Sequence, residues 1–124
     1  MYDVIFYKDA NGREQIKEYL YELRQKSLTS KNDRILFEKI LAYIKALQQY
    51  GTRTGAPIVK HIDGDIWELR PINNRIFFFH WRDDTFVLLH YFIKKTQKTP
   101  PREIEQARRN LKDFLERSKN LWRE

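Results

Sequence analysis

Between Trp67 and Pro100 the chain carries the side chains best suited to chemistry. Glu68 and Arg70 lie in Trp67-Glu68-Leu69-Arg70, and Arg75 opens an aromatic run that ends at Trp81. His90, Lys94, Lys95 and Lys98 follow in the last segment. An arginine guanidinium is a planar fork that grips a phosphate or carboxylate with two hydrogen bonds. Glutamate and histidine are the usual carriers of a proton in a reaction. Basic charge is concentrated just beyond: Lys94, Lys95, Lys98, Arg102, Arg108 and Arg109 stand against only Glu103 and Glu105. The whole chain has 24 Lys and Arg against 17 Asp and Glu, a net charge of +7. A field of that sign favours a polyanionic partner: nucleic acid, an acidic protein or an anionic membrane surface. If about four of these cations met phosphates of a single strand, the salt slope of binding would be roughly −3.

Several chemistries are excluded or disfavoured. The absence of cysteine removes disulfides, a thiol nucleophile and a thiolate zinc site. His61, His80 and His90 show no i, i+3 or i+4 pairing, so no metal site and no cofactor are expected. No apolar run approaches the ~20 residues of a membrane helix. The first residues, with Asp3 among them, do not read as a signal peptide, and a cytoplasmic protein is expected. The length of 124 residues suits one domain over residues 1–124.

The elements that must position these residues follow from periodicity. Tyr2 to Tyr7 reads as a strand. Asn11 with Glu14 reads as a capping box, and Ile16, Leu20 and Leu23 give the apolar stripe of a helix ending near Lys26. Ser30 and Asp33 repeat the cap, Phe37 to Leu47 repeat the stripe, and Gly51 supplies the stop. The two helices form an antiparallel hairpin. From Ile58 the period changes to two. Ile58–Ile62 and Asp65–Arg70 flank Asp63-Gly64, a type I′ turn signal. Arg75–Arg82 and Thr85–Lys94 complete an antiparallel meander. Thr99 as N-cap and Pro100 at the first helical position start a last helix with apolar Ile104, Ala107, Leu111, Phe114 and Leu115. The order β-α-α-β-β-β-β-α is an α+β layer fold. Alternation predicts that Phe86, Leu88, His90, Phe92 and Lys94 share one face of the last strand, which is apolar on both sides and so central. A polar floor with Glu68, Arg70, His90 and Lys94 is expected to remain open.

These segments together resemble the HigB-type, phage-derived branch of the RelE/ParE toxin superfamily. The resemblance rests on the Glu-Leu-Arg strand, the Arg-aromatic strand and the exit Phe92-Ile93-Lys94-Lys95-Thr96-Gln97-Lys98-Thr99-Pro100. It implies a RelE-like fold, a helix hairpin packed on a sheet meander with a C-terminal helix. It also implies the toxin of a type II toxin–antitoxin system: a ribosome-dependent endoribonuclease, or mRNA interferase, that cleaves translated mRNA. Implied partners are the ribosome, mRNA and a helix-turn-helix, HigA-like antitoxin held in a hetero-oligomer. The alternative on the same scaffold is a non-catalytic ParE-like toxin that inhibits DNA gyrase.

Cleavage by the 2′-hydroxyl needs a base, a cation for the extra phosphate charge, an acid for the 5′-oxygen and in-line geometry. By position, Arg70 and Arg75 match the family's basic strand residues, and Lys94, Lys95 and Lys98 match its basic exit. Lysines that the founding type carries on a strand are replaced here by Ile66 and Glu68. The base is then Glu68 or His90, or the ribosome's geometry carries more of the reaction. Catalytic roles are thus expected for Glu68, Arg70, Arg75, His90, Lys94 and Lys98. Lys95, Arg102, Arg108 and Arg109 are expected to bind RNA.

Overall fold

The computed structural model describes the backbone of residues 1–122 and the side chains of residues 1–119. The elements are β1 (Asp3–Phe6), α1 (Gln15–Ser27), α2 (Lys31–Tyr50), β2 (Val59–Asp63), β3 (Ile66–Leu69), β4 (Asn74–Trp81), β5 (Thr85–Ile93) and α3 (Pro101–Trp122). Their order is the expected one, and the architecture is α+β. The sheet runs β1-β5-β4-β3-β2. Strands β2 to β5 form the antiparallel meander. β1 pairs parallel to β5, so the sheet is mixed, not purely antiparallel. β5 is therefore an inner strand, as its two apolar faces demand.

Each sheet face has its own cover. α1 and α2 lay Ile16, Leu20, Leu23, Ile40 and Leu47 against Leu69, Ile76, Phe78, Phe86 and Leu88. α3 lays Ile104, Ala107 and Leu111 against Ile66, Phe77 and Phe92, and Phe114 with Leu111 against Phe79, Val87 and Leu89. Ala107 is fully buried, and its small side chain lets α3 approach the sheet closely.

The strict alternation expected for β5 fails at Leu89. Phe77 pairs with His90 and Phe78 with Leu88, so Leu89 is an extra residue in the ladder. This bulge reverses the parity. Phe86 and Leu88 face the helix hairpin, whereas Leu89 and Phe92 face α3. Asn110 of α3 donates Nδ2 to the Leu89 carbonyl at 2.8 Å, which ties the bulge to the helix above it.

Local signals were followed unevenly. Ser30 caps α2 by accepting from the Asp33 N–H at 3.2 Å. Gly51 ends α2 at φ +62°, where an added Cβ would lie 3.0 Å from the Tyr2 ring. The Asn11–Glu14 capping box does not form. α1 begins at Gln15 without a side-chain cap, and Asp9 Oδ1 instead accepts from the N–H groups of Asn11 and Arg13, both at 2.9 Å. The hairpin turn residues are Gly64 and Asp65, and Gly64 alone among the residues of this turn has a positive φ, +54°. A type I′ turn centred on Asp63-Gly64 is thereby excluded. Pro101 takes the first helical position of α3, one residue after the expected Pro100.

Candidate functional site

The expected polar floor exists on the α3 side of the sheet, beyond the start of α3, but its depth differs from expectation. Glu68 is opposite Phe77, and Phe77 is opposite His90, so pairing in the sheet puts all three on one face. Glu68 is 1% exposed and Arg75 9%. Glu68, expected on the open floor, is therefore corrected to a buried position, and the Arg75 guanidinium folds inward beside it. Arg75 Nη1 donates to the carbonyls of Ile72 at 3.0 Å and Asn74 at 2.8 Å. Ile72 holds its carbonyl there at φ 56°, a left-handed conformation that is costly for a β-branched residue.

Both arginines converge on one carboxylate oxygen. Glu68 Oε1 lies 3.3 Å from Arg70 Nε and 3.7 Å from Arg75 Nε. These are ion-pair distances without hydrogen-bond alignment. Glu68 Oε2, Arg70 Nε and Arg75 Nε are all buried and find no hydrogen-bond partner within the protein. Burial holds the Glu68 carboxyl above its ordinary value, and Arg75, Arg70, Lys94 and Lys60 offset only part of that rise. Burial likewise lowers Arg75, against the pull of Glu68. The cluster thus buries charge at a cost, which a substrate anion able to reach the guanidiniums would reduce. Glu68 itself is walled in by arginines and is poorly placed to take a proton from a substrate hydroxyl; its geometry suits holding the guanidiniums.

Three open clefts lie on this part of the molecule, and one of them reaches the cluster through Arg75. One, of about 540 Å³, is lined by Ile72, Arg75, Lys94 and Lys95. The next, of about 510 Å³, is lined by His90, Lys95, Arg102 and Glu103. His90 Nε2 lies 2.8 Å from Glu103 Oε1, a contact that orients the imidazole at the cleft wall. Sequence reasoning named His90 but not Glu103, because nothing in the spacing of thirteen residues brings the two together before the chain has turned into α3. A third cleft contains Arg109, whose Nη2 donates to Gln106 Oε1 at 2.7 Å.

The remaining expected residues are distributed less simply. Lys98 lies in the exit turn, where its carbonyl accepts from the Thr96 hydroxyl at 2.8 Å, and its side chain lines none of these clefts. Arg108, expected to bind RNA, is engaged by Asp63 of the β2–β3 hairpin and by Glu105. Among the described residues, no group of three or more His, Asp or Glu side chains gathers as a metal site would require. Among them too, no helix is long and apolar enough to cross a membrane.

No curated protein matches the chain. A family model does, over residues 27–112, a span running from the end of α1 through strands β2 to β5 into α3 and covering every residue of the cationic cluster. By that match, the chain belongs to the phage-derived Gp49-like protein family (DUF891).

Proposed function

We propose that this protein is the toxin of a type II toxin–antitoxin system, of the HigB type with a RelE-like fold, and that it is an endoribonuclease cleaving translated mRNA on the ribosome. The Gp49-like family is known as one of RelE-like toxins, which supports the coarser part of this reading. The observation that carries the rest is the convergence of Arg70 and Arg75 on Glu68, with Lys94 in the same field. Arg70 and Lys94 stand at the mouth of the cluster and meet the scissile phosphate. Arg75 supports them from below, and Glu68 holds the two guanidiniums at one point.

In the reaction, the 2′-oxygen attacks the adjacent phosphorus and the bond to the 5′-oxygen breaks. The products are a 2′,3′-cyclic phosphate and a 5′-hydroxyl end. His90, oriented by Glu103, is the residue with the chemistry and position to carry a proton beside this phosphate. The ribosome supplies the in-line alignment of the mRNA. The inhibiting partner is a helix-turn-helix antitoxin, and the site of action is the cytoplasm.

The test is cleavage by purified protein of an mRNA programmed on ribosomes, set against the same RNA free in solution. Efficient cutting on ribosomes and poor cutting of the free RNA is the expected result. No cutting in either case, together with inhibition of DNA supercoiling, would replace this reading with the gyrase-directed one.

A further inference from the structure

His90 follows directly on the irregularity in the β4–β5 ladder. Phe78 pairs with Leu88 and Phe77 with His90, which leaves Leu89 unpaired between them. Strand pairing alone does not call for that extra residue. With one residue fewer, the same two pairs would be consecutive in an unbroken ladder. A bulge bends its strand and re-aims the side chains beside it, and bulges recur next to active sites for that reason.

This bulge is held by α3, in a bond whose direction is fixed by its neighbours. A guanidinium only donates, so Arg109 Nη2 makes Gln106 Oε1 an acceptor, at 2.7 Å. Gln106 then presents Nε2, which donates to Asn110 Oδ1 at 2.9 Å. Asn110 is left with its amide nitrogen for the strand, and Nδ2 donates to the Leu89 carbonyl at 2.8 Å. Leu89 is buried, and a buried carbonyl at a bulge needs such a donor.

The same helix holds the ring of the next residue. Glu103 and Asn110 stand two turns apart on α3 and so share one face of it. Glu103 Oε1 lies 2.8 Å from His90 Nε2. The imidazole also lies near-parallel to the ring of Phe77, with centroids 6.4 Å apart and 24° between the planes. A carboxylate only accepts, so the neutral imidazole carries its hydrogen on Nε2 and its lone pair on Nδ1. His90 lines both the middle and the third cleft.

We propose that Asn110 is a positioning residue for RNA cleavage. Glu103 locks the His90 ring, Asn110 locks the peptide before it, and Nδ1 of His90 is the atom that takes the proton. In the step, Nδ1 accepts the proton of the 2′-hydroxyl as that oxygen bonds to phosphorus. The bond from phosphorus to the 5′-oxygen breaks, and the 5′-oxygen takes a proton from water. The inference rests on the RNA-cleaving reading above and adds to it the device that aims the proton carrier.

Single-turnover cleavage of ribosome-programmed mRNA by the full chain, together with nitrogen NMR of the His90 ring, tests it. Asn110→Ala is expected to slow cleavage about tenfold per folded molecule, with unchanged affinity for the programmed ribosome, since a displaced reacting group loses rate and not binding. Asn110→Asp, which keeps the size but not the donor, is expected to do the same. In a His90→Ala background either substitution costs nothing further, because each acts only through the imidazole. Glu103→Gln, whose amide oxygen still accepts from Nε2, keeps the Nε2–H form and most of the rate, and Glu103→Leu loses both. Equal rates for the wild type and both Asn110 variants overturn the proposal. So does the same loss with and without His90, which marks Asn110 as structural, and so does a wild-type ring with its hydrogen on Nδ1. Each of these leaves the RNA-cleaving reading in place. A wild type that cuts no mRNA on ribosomes overturns both.

Discussion

The two faces of the sheet are built to different standards. Under α1 and α2 the contact is apolar throughout, with Ile40, Leu47, Leu69, Ile76 and Phe78 nearly or fully buried. Under α3 an apolar cluster of similar kind stops short, and beyond it Glu68, Arg70 and Arg75 are packed with three polar atoms that lack hydrogen-bond partners in the protein. A sequence selected for stability alone would fill that end with aliphatic side chains, since replacing a buried ion cluster by well-packed apolar residues is often neutral or stabilising. Retaining it argues that the first face holds the fold and the second bears the function.

The sharpest way to break this comparison is a cavity on the first face. Leu47→Ala is expected to lower stability by about 4 kcal/mol, since Leu47 is fully buried in the core. Urea unfolding measures it, and the fraction still folded should retain wild-type cleavage per molecule. If that fraction is inactive, the division between faces is wrong.

Arg75→Ala acts on both properties. It removes one of the two guanidiniums of a buried carboxylate and is expected to cost about 3 kcal/mol. The pairing of Arg75 with Glu68 is tested by the double variant Arg75→Ala, Glu68→Gln, which should recover most of the stability and none of the activity.

Arg70→Ala separates the properties. Arg70 is half-buried and more exposed than Arg75, so its loss should reduce ribosome-dependent cleavage by about 10², or roughly 2.7 kcal/mol of transition-state stabilisation. The change in stability should be smaller than for Arg75→Ala, as read from the same urea curves.

The smallest effect is a pH dependence. Burial holds the Glu68 carboxyl above its ordinary value of 4.5. The folded state therefore favours the neutral carboxyl, whose contribution to stability is full below about 4.5 and is lost as pH rises through the folded value. Wild type should lose stability relative to Glu68→Gln on going from acid towards neutral pH. A constant difference across that range would show that the carboxyl is not desolvated as described.

Much of this arrangement was legible in the residues. Periods of 3.6 and two located all the main helices and strands, and Ser30 and Gly51 marked the ends of α2 because their signals are local. The bulge at Leu89 was not legible: Val87-Leu88-Leu89-His90 carries no glycine or proline to announce an extra residue, and only pairing with β4 reveals it. The reading of the strands put Glu68 on the floor that it shares with His90 but said nothing of depth, and the inward fold of Arg75 onto the Ile72 carbonyl had no signal in the spacing. Arg108 read as one more cation of a basic helix, because its partner Asp63 lies across the chain on a hairpin. The joining of His90 to Glu103 likewise needed the turn from β5 into α3 to be closed.

The central claim is that the open end of the sheet cuts mRNA. The most direct measurement is a primer-extension map of transcript 5′ ends in cells after induction of the wild type and of Arg70→Ala at equal soluble level. The account predicts new 5′-hydroxyl ends within translated reading frames for the wild type, and few or none for Arg70→Ala. Growth arrest by the wild type with transcripts left intact, or the same ends produced by Arg70→Ala, would contradict it.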